Sequence, residues 1–352
     1  MSDLRTRLRP WPSVQVRNTA QSLARLPLRP TYRYPAKPIA SDPASPNSST
    51  VMPSATEDPY ILVGPFDADG VKAELMTICQ ACFPAFNKDD LAATFDDISR
   101  LFDGHWPGYK ASNTAYHDLE HTQAVVLACA RLMHGAILCG EPLTEREYHL
   151  GLMAAFFHDA GLIQTTDDTS GTGAKHTRGH ERRSIRMAAV YLREHGFSEE
   201  DVVDCGHVIE STILAMPVQG VPFRDPRTAL LGRILAAGDL HAQMADWAYL
   251  EKLALLFKEF EEASIPGFDS EIMLLEKTQG FYDFVVKKRL ESLGEISDFM
   301  RAHYRERHAV DRDPYHEATL ANLDFLRRIM ESSHNNAGLR LESKGFEWST
   351  NA

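Results

Sequence analysis

The sequence predicts an all-α fold. Apolar residues recur at three- and four-residue spacing through most of the chain from Phe66 onward, as in Val71, Leu75 and Ile78, and this spacing places them on one face of a helix. Strand-like alternation of apolar and polar residues is scarce. Residues typical of helix starts and helix ends separate the periodic segments. We therefore expect one helical domain over residues 60–335, without an internal repeat.

The helices are expected in chain order as follows. Apolar faces predict helices over residues 71–82, 91–101, 150–157, 181–195 and 202–209, and longer periodic stretches near 228–263, 270–305 and 315–331. Thr144 and Glu147 are spaced as a capping box that opens the third helix. Gly161 is placed to end that helix, Gly196 to end the next one, and Ser198 to begin the helix after it.

The two ends of the chain differ from this helical body. The first forty residues contain eight Lys or Arg and one acidic residue, Asp3, while residues 43–58 are rich in Ser, Pro, Ala and Thr. Segments of this composition do not form a packed core, so we predict a disordered tail over 1–58 and a second tail over 336–352. The protein is expected to be cytoplasmic. The Arg-rich start leaves open a mitochondrial location, with this tail as a transit peptide.

Composition limits the classes of partner. The chain is 43% hydrophobic and 24% charged, with a formal net charge of −12, as in many globular proteins. Its apolar runs, such as 151–157, are much shorter than the ~20 residues of a membrane span. An acidic body disfavours binding to nucleic acid and to anionic membranes. We expect a small-molecule partner, no nucleic acid and no membrane; the oligomeric state stays open.

Charged residues within apolar segments indicate the chemistry. The pair His158-Asp159 directly follows an apolar run, and Asp239 is embedded in another. His117 and His121 are four residues apart and would share one face of a helix. Buried imidazoles and carboxylates are costly without a partner, and both groups are ligands of divalent metal ions. The combination predicts a metal site.

A polar, Gly-containing loop over residues 165–179 follows the His-Asp pair, where it could cover the site. Lys175, Arg178 and His180 belong to a basic cluster in this otherwise acidic domain. We predict that these residues bind a phosphate group of the substrate; the alternative is a solvated loop.

The segment Asn113-Thr114-Ala115-Tyr116-His117-Asp118-Leu119-Glu120-His121-Thr122 resembles the Asn-x-x-Tyr-His-Asn-x-x-His-Ala segment of one enzyme family. This family is the cyclic-nucleotide phosphodiesterase branch of the HD-domain metal-dependent phosphohydrolase superfamily, and the resemblance covers about residues 66–300. It implies an HD/PDEase-like helical bundle that holds two divalent metal ions (Zn, Mg, Mn or Fe). The implied reaction is hydrolysis of a phosphoester, with a 3',5'-cyclic nucleotide as leading substrate, by metal-activated hydroxide.

The resemblance also implies roles for single residues. His117 would be the general acid, and the metal ligands would be His121, His158, Asp159 and Asp239. Further matches concern residues around the metals and the substrate: Glu181 as a supporting acid, Thr212 beside the metal waters, and Gln279 and Phe281 in the segment that holds the purine. Either Asp118 or Glu120 could orient the histidine pair.

The chain departs from the family at Asp118 and Thr122, and at Thr278, which stands at the position of the purine-binding glutamine and leaves Gln279 one residue out. It departs again after the His-Asp pair. The run after His158-Asp159 has no histidine at its fifth position, and Leu162 stands where the related HD-GYP enzymes carry a lysine. Three alternatives follow: a non-cyclic nucleotide or other phosphoester as substrate, a catalytically silent HD-fold module that binds a nucleotide, or a di-iron oxygenase, since the same ligands suit iron.

Overall fold

The structure is a computed structural model that describes residues 58–335, and it confirms the all-α prediction. These residues form helices and contain no β-strand, only two isolated bridges, Asp103–Ala111 and Tyr109–Thr165. Of the described residues, 58–327 belong to one compact unit and 328–335, the end of the last helix, to another. The tails predicted at the two ends lie outside the described residues, apart from Asp58.

The long stretches predicted near 228–263 and 270–305 each divide into separate helices. The elements are α1 (Pro59–Val63), α2 (Ala68–Cys82), α3 (Lys88–Phe102), α4 (Leu119–Leu138), α5 (Glu145–Phe157), α6 (His180–Glu194), α7 (Glu199–Glu210), α8 (Pro226–Ala245), α9 (Tyr249–Glu262), α10 (Glu271–Phe281), α11 (Lys287–Ser292), α12 (Ile296–His308) and α13 (Pro314–Asn335). A π-helical turn, Tyr282–Val286, joins α10 to α11.

Helix α4 is the centre of the fold, because α2, α5, α8 and α12 all pack against it. From His121 to Ala136 every residue except Ala124 is buried. A helix that is apolar on all sides has to be covered on all sides. The one buried cation of this stretch, Arg131, donates to the carbonyls of Val63 and Gly64, both at 2.6 Å, so its charge is compatible with the core.

The predicted helix ends are confirmed at three places. Thr144 and Glu147 form the capping box of α5, and Ser198 caps α7 in the same way. Gly196, just after α6, has a φ of +77°, the left-handed conformation that glycine adopts without strain.

The start of α4 differs from the prediction. Asp118 is its N-cap, and the Asp118 side chain accepts a hydrogen bond from the His121 backbone N–H at 2.9 Å. The helix therefore begins at Leu119, and His117 precedes it. The prediction that His117 and His121 share a helix face is wrong, because the N-cap Asp118 makes the helix begin two residues after His117.

The role predicted for Gly161 is also wrong. Helix α5 ends earlier, at Phe157, and Gly161 lies in a following 3-10 turn. A Cβ atom on Gly161 would lie 2.1 Å from the backbone oxygen of His180 and 2.6 Å from the backbone nitrogen of Ser184. Gly161 is thus the point at which the start of α6 approaches the residues that follow α5.

None of the helices over residues 58–335 is both long and apolar enough to cross a membrane.

The close approach of α4 to α12 generates a stability prediction. A Cβ atom on Gly135 would lie 1.7 Å from the backbone oxygen of Phe299, and backbone can move only with its whole helix. Gly135→Ala should lower the free energy of unfolding by about 1–3 kcal/mol, measured by urea denaturation. The control is Gly280→Ala in α10, whose added methyl would meet nothing closer than 3.9 Å. Equal stability of the two variants would contradict this packing.

Candidate metal centre

The four predicted metal ligands converge in the structure. His121 lies in the first turn of α4, His158 and Asp159 directly follow α5, and Asp239 lies in α8. His121 Nε2 is 3.5 Å from Asp159 Oδ2 and 3.3 Å from Asp239 Oδ1. His158 Nε2 is 3.1 Å from Asp159 Oδ2 and 3.9 Å from Asp239 Oδ1. His121, His158 and Asp159 offer ligand atoms within 4.8 Å of one another, and Asp239 lies beside the two histidines.

The positions of the donor atoms are compatible with ligands of a metal ion. The Nε2 atoms of His121 and His158 are buried and have no hydrogen-bond partner, although carboxylate oxygens lie nearby. Four ligands at about 2.0–2.2 Å from a tetrahedral ion would be roughly 3.4 Å apart, close to the separations seen here. Buried polar atoms without partners are rare in proteins. A metal ion at this point would satisfy both.

The tautomer of His158 is the one that a metal-binding histidine needs. Its Nδ1 donates to the carbonyl oxygen of Ala155 at 2.8 Å, which leaves the lone pair on Nε2, the atom that faces the two aspartates. Such a bond from the second ring nitrogen is the usual support of a metal-binding histidine.

A third histidine contacts the same carboxylate from the other side. His180 Nε2 is 3.0 Å from Asp159 Oδ1, and its Nδ1 donates to the Thr177 carbonyl at 2.9 Å. His180 comes this close because the glycine at position 161 lets the first turn of α6 approach the ligand pair. The two oxygens of Asp159 thus face different sets of imidazoles.

The buried charges shift the pKa values of the cluster strongly. Burial alone would lower the pKa of His158, but the charge of Asp159 outweighs it and raises this pKa to about 9. The pKa of His180 also rises to about 9, again because the interaction with Asp159 outweighs burial. Burial opposes ionisation of Asp159, yet the adjacent histidines hold its pKa well below the usual range. The carboxylates of the cluster therefore attract positive charge, either as protons on the histidines or as a metal ion.

His117 stands beside this cluster and is held by a buried carboxylate. Its Nδ1 is 2.5 Å from Oε2 of Glu259 on α9, and its ring centroid is 5.6 Å from that of His121. Oε1 of Glu259 accepts the backbone N–H groups of Tyr116 and His117 at 2.6 and 3.2 Å. Burial lowers the pKa of His117, but the bond to Glu259 and the charges of Asp159 and Glu259 outweigh it and raise the pKa above 6.5.

Neither acid that the sequence suggested orients His117. Asp118 caps α4, and Glu120 accepts from Lys252 Nζ at 2.8 Å. Glu259 was missed because it lies far along the chain from His117. A signal did exist: Glu259 follows Leu253 and Leu256 at helical spacing and is itself buried. A carboxylate on an apolar helix face needs a partner.

In the loop over residues 165–179, two basic side chains contact an aspartate of the same loop, Asp168. Lys175 forms an ion pair with Asp168, and His176 Nε2 lies 3.1 Å from the same carboxylate. Arg178 is exposed and donates to the Ser264 carbonyl at 2.9 Å. These contacts give Lys175 and Arg178 partners within the protein, and their predicted contact with a phosphate stays a prediction.

The remaining predicted residues differ in their distance from the cluster. Glu181 lies near the metal centre, with Oε2 3.7 Å from Nδ1 of His180. Thr212 donates to the Ile209 carbonyl at the end of α7, and Gln279 is exposed and donates to Asp283 at 3.1 Å. Neither of these two, nor the half-buried Phe281, makes a hydrogen bond or ion pair with a residue of the cluster.

A second group of possible ligands, Glu74, His303 and His308, occurs among the described residues, with atoms within 4.8 Å of one another. Its surroundings disfavour a cation. Arg307 lies 3.5 Å from the Glu74 carboxylate, and burial, together with the charge of Arg131, strongly lowers the pKa of His303. The centre around Asp159 is the better metal site.

The contact between His117 and Glu259 yields a direct test. Glu259→Gln removes the negative charge but leaves the ring buried, so the pKa of His117 should fall by about 1–3 units. NMR titration of the His117 ring protons in metal-free protein measures this. Glu261→Gln, an exposed change on the same helix, should leave the pKa unchanged. Equal titration of both variants would show that Glu259 does not set the His117 pKa.

Comparison with known proteins places the chain in a family. No curated protein matches it. The model of the Npun_R2479-like family matches residues 107–292, slightly more than half of the chain. The matched region contains His117, Glu259 and the whole metal centre. The chain therefore belongs to the Npun_R2479-like family.

Proposed function

We propose that this protein is a metal-dependent phosphohydrolase that cleaves a small phosphoester, with a 3',5'-cyclic nucleotide as the leading candidate. One observation carries the proposal. The unpartnered Nε2 atoms of His121 and His158 face the carboxylates of Asp159 and Asp239, and a histidine with a raised pKa lies directly beside them. This combines a place for a divalent cation with a proton donor, the two requirements of metal-assisted phosphoester hydrolysis.

His121, His158, Asp159 and Asp239 would hold one divalent ion. Asp159 Oδ1 and His180 Nε2 would contribute to a second, which gives His180 a more direct role than substrate binding. Such ions lower the pKa of bound water to about 7 and offset the negative charge of the phosphoryl oxygens. The chemistry of the donors, imidazole and carboxylate, suits Zn, Mn and Fe.

The chain's own residues supply the proton. Glu259 accepts the Nδ1–H of His117, so the other ring nitrogen carries the proton that can be transferred. Despite burial, the bond to Glu259 raises the pKa of His117 and so favours its protonated form, and its side chain is 21% exposed. A leaving ester oxygen beside the metal centre would take its proton from His117. Such general acid catalysis typically contributes about 10²–10⁴-fold to the rate.

The proposal predicts two distinguishable classes of variant. His158→Ala and Asp159→Ala should lose bound metal and nearly all turnover, because they remove ligands. His117→Ala should keep its metal and lose about 10²–10⁴-fold in kcat. Elemental analysis of each purified variant, together with turnover of cyclic and linear nucleotide phosphoesters, measures both quantities.

Three outcomes would contradict the proposal. Equal metal loss in His117→Ala and His158→Ala would make His117 a ligand. Metal-loaded wild-type protein that turns over no phosphoester would favour a silent binding module. Oxygen consumption with an organic substrate, again without phosphoester turnover, would instead indicate an oxygenase.

A further inference from the structure

The loop over residues 165–179 links the metal ligands after α5 to the histidine at the start of α6. It begins shortly after Asp159 and ends at His180, whose Nε2 lies 3.0 Å from Asp159 Oδ1. The path of the loop therefore decides where the His180 ring lies. The end of α9 holds this loop from the other side at two points, Thr172 and Arg178.

Glu262, the last residue of α9, accepts both polar hydrogens of Thr172. Its Oε1 accepts the Thr172 backbone N–H at 2.5 Å, and its Oε2 accepts the Thr172 hydroxyl at 2.5 Å. The carboxylate reaches the loop because residue 171 is a glycine: a Cβ atom on Gly171 would lie 2.4 Å from Glu262 Oε1. A negative charge at a helix C-terminus is disfavoured by the helix dipole, so Glu262 stabilises the loop rather than its own helix.

A continuous series of hydrogen bonds leads from Thr172 to the metal centre. The Thr172 hydroxyl accepts the backbone N–H of Ala174 at 3.2 Å and caps the 3-10 turn Gly173–His176. The Ala174 carbonyl accepts the Thr177 N–H at 2.9 Å. The Thr177 carbonyl then accepts the Nδ1–H of His180 at 2.9 Å. Because Nδ1 is bound to this carbonyl, Nε2 is the ring atom left for a metal ion.

A second anchor keeps the same turn attached to the body of the protein. Asn113 Oδ1 accepts the backbone N–H of Gly173 at 2.8 Å, and a Cβ atom on Gly173 would lie 2.2 Å from the Leu162 carbonyl oxygen. Loss of the Glu262 contact would thus leave the loop attached at one anchor. The loop would shift without unfolding, which makes the role of Glu262 measurable in a folded protein.

The same part of α9 also holds the proposed proton donor. Glu259, which contacts His117, precedes Glu262 by three residues. Residues at this spacing project from one side of a helix. One rigid helix therefore sets both the position of His117 and the path of the loop that leads to His180.

We propose that Glu262 and Thr172 are positioning residues for His180. They hold the loop so that Nε2 of His180 faces Asp159 Oδ1 and can bind the second divalent ion. The inference rests on the proposed function for the presence of that second ion. It gives α9 a role in metal binding, although α9 carries none of the proposed ligands.

Calorimetric titration of the metal-free, full-length protein with Mn²⁺ tests the inference without any turnover. Two binding events are expected: a tighter one at the centre with four protein ligands, and a weaker one that requires His180. Glu262→Ala and Thr172→Val should weaken only the second event, by about 3–10-fold, the loss expected for one or two hydrogen bonds. His180→Ala should remove the second event.

Two matched variants serve as controls. Thr172→Ser keeps the hydroxyl and should bind both ions with wild-type affinity, whereas a role in packing alone would make Thr172→Ser as harmful as Thr172→Val. Glu261→Gln, an exposed change beside Glu262, should leave both events unchanged. The inference would be overturned by wild-type affinity for the second ion in Glu262→Ala, by equal weakening of both ions, or by a wild-type protein that binds one ion only.

The outcome also separates this inference from the proposed function. If Glu262→Ala weakens the second ion but the wild-type protein hydrolyses no phosphoester, the positioning role stands and the proposed reaction is wrong. If a phosphoester is hydrolysed and Glu262→Ala binds both ions as the wild type does, the reaction stands and the positioning role is wrong.

Discussion

The carboxylate of Asp159 is the group on which the arrangement of the site depends. It is buried, and its two oxygens face imidazoles from three directions: His121 from α4, His158 from its own segment, and His180 from α6. A buried carboxylate is tolerated only when it is compensated. One histidine reaches this point from α4, one from the residue after α5, and one from α6. Helix α6 can come close enough because Gly161 has no side chain. Packing of the core and chemistry of the site are thus set by the same contacts.

The sequence predicted the fold class from helical periodicity, and the same periodicity pointed to a metal site whose ligand set the family resemblance then implied. Helical periodicity makes a charged residue conspicuous when it occurs within an apolar run, as Asp159 and Asp239 do. The structure brings the predicted ligands together, although the start of α4 and the end of α5 lie elsewhere than expected. Both errors concern single residues at helix ends, where a capping side chain or a tight contact decides the boundary.

What could not be predicted depends on contacts between distant parts of the chain. The partner of His117 is Glu259, on a helix that packs against the site only in the folded protein. His180 was placed near the substrate by its position after a polar loop, whereas its actual contact is Asp159.

The site contains two neighbouring regions that differ in polarity. The candidate metal centre contains the carboxylates of Asp159 and Asp239, while a neighbouring cavity, which His121 also lines, is mostly apolar, with Glu120 and Asp246 at its polar end. His117 lies beside both, since its ring contacts His121 and its neighbour Tyr116 lines the cavity.

The central claim is that a divalent metal ion lies among His121, His158, Asp159 and Asp239. X-ray diffraction from crystals of the purified protein, recorded on both sides of a metal absorption edge, tests it most directly. The account predicts an anomalous peak about 2.0–2.2 Å from the Nε2 atoms of His121 and His158. A well-ordered cluster without such a peak, with protonated histidines hydrogen-bonded to Asp159 and Asp239 in metal-supplemented crystals, would contradict it.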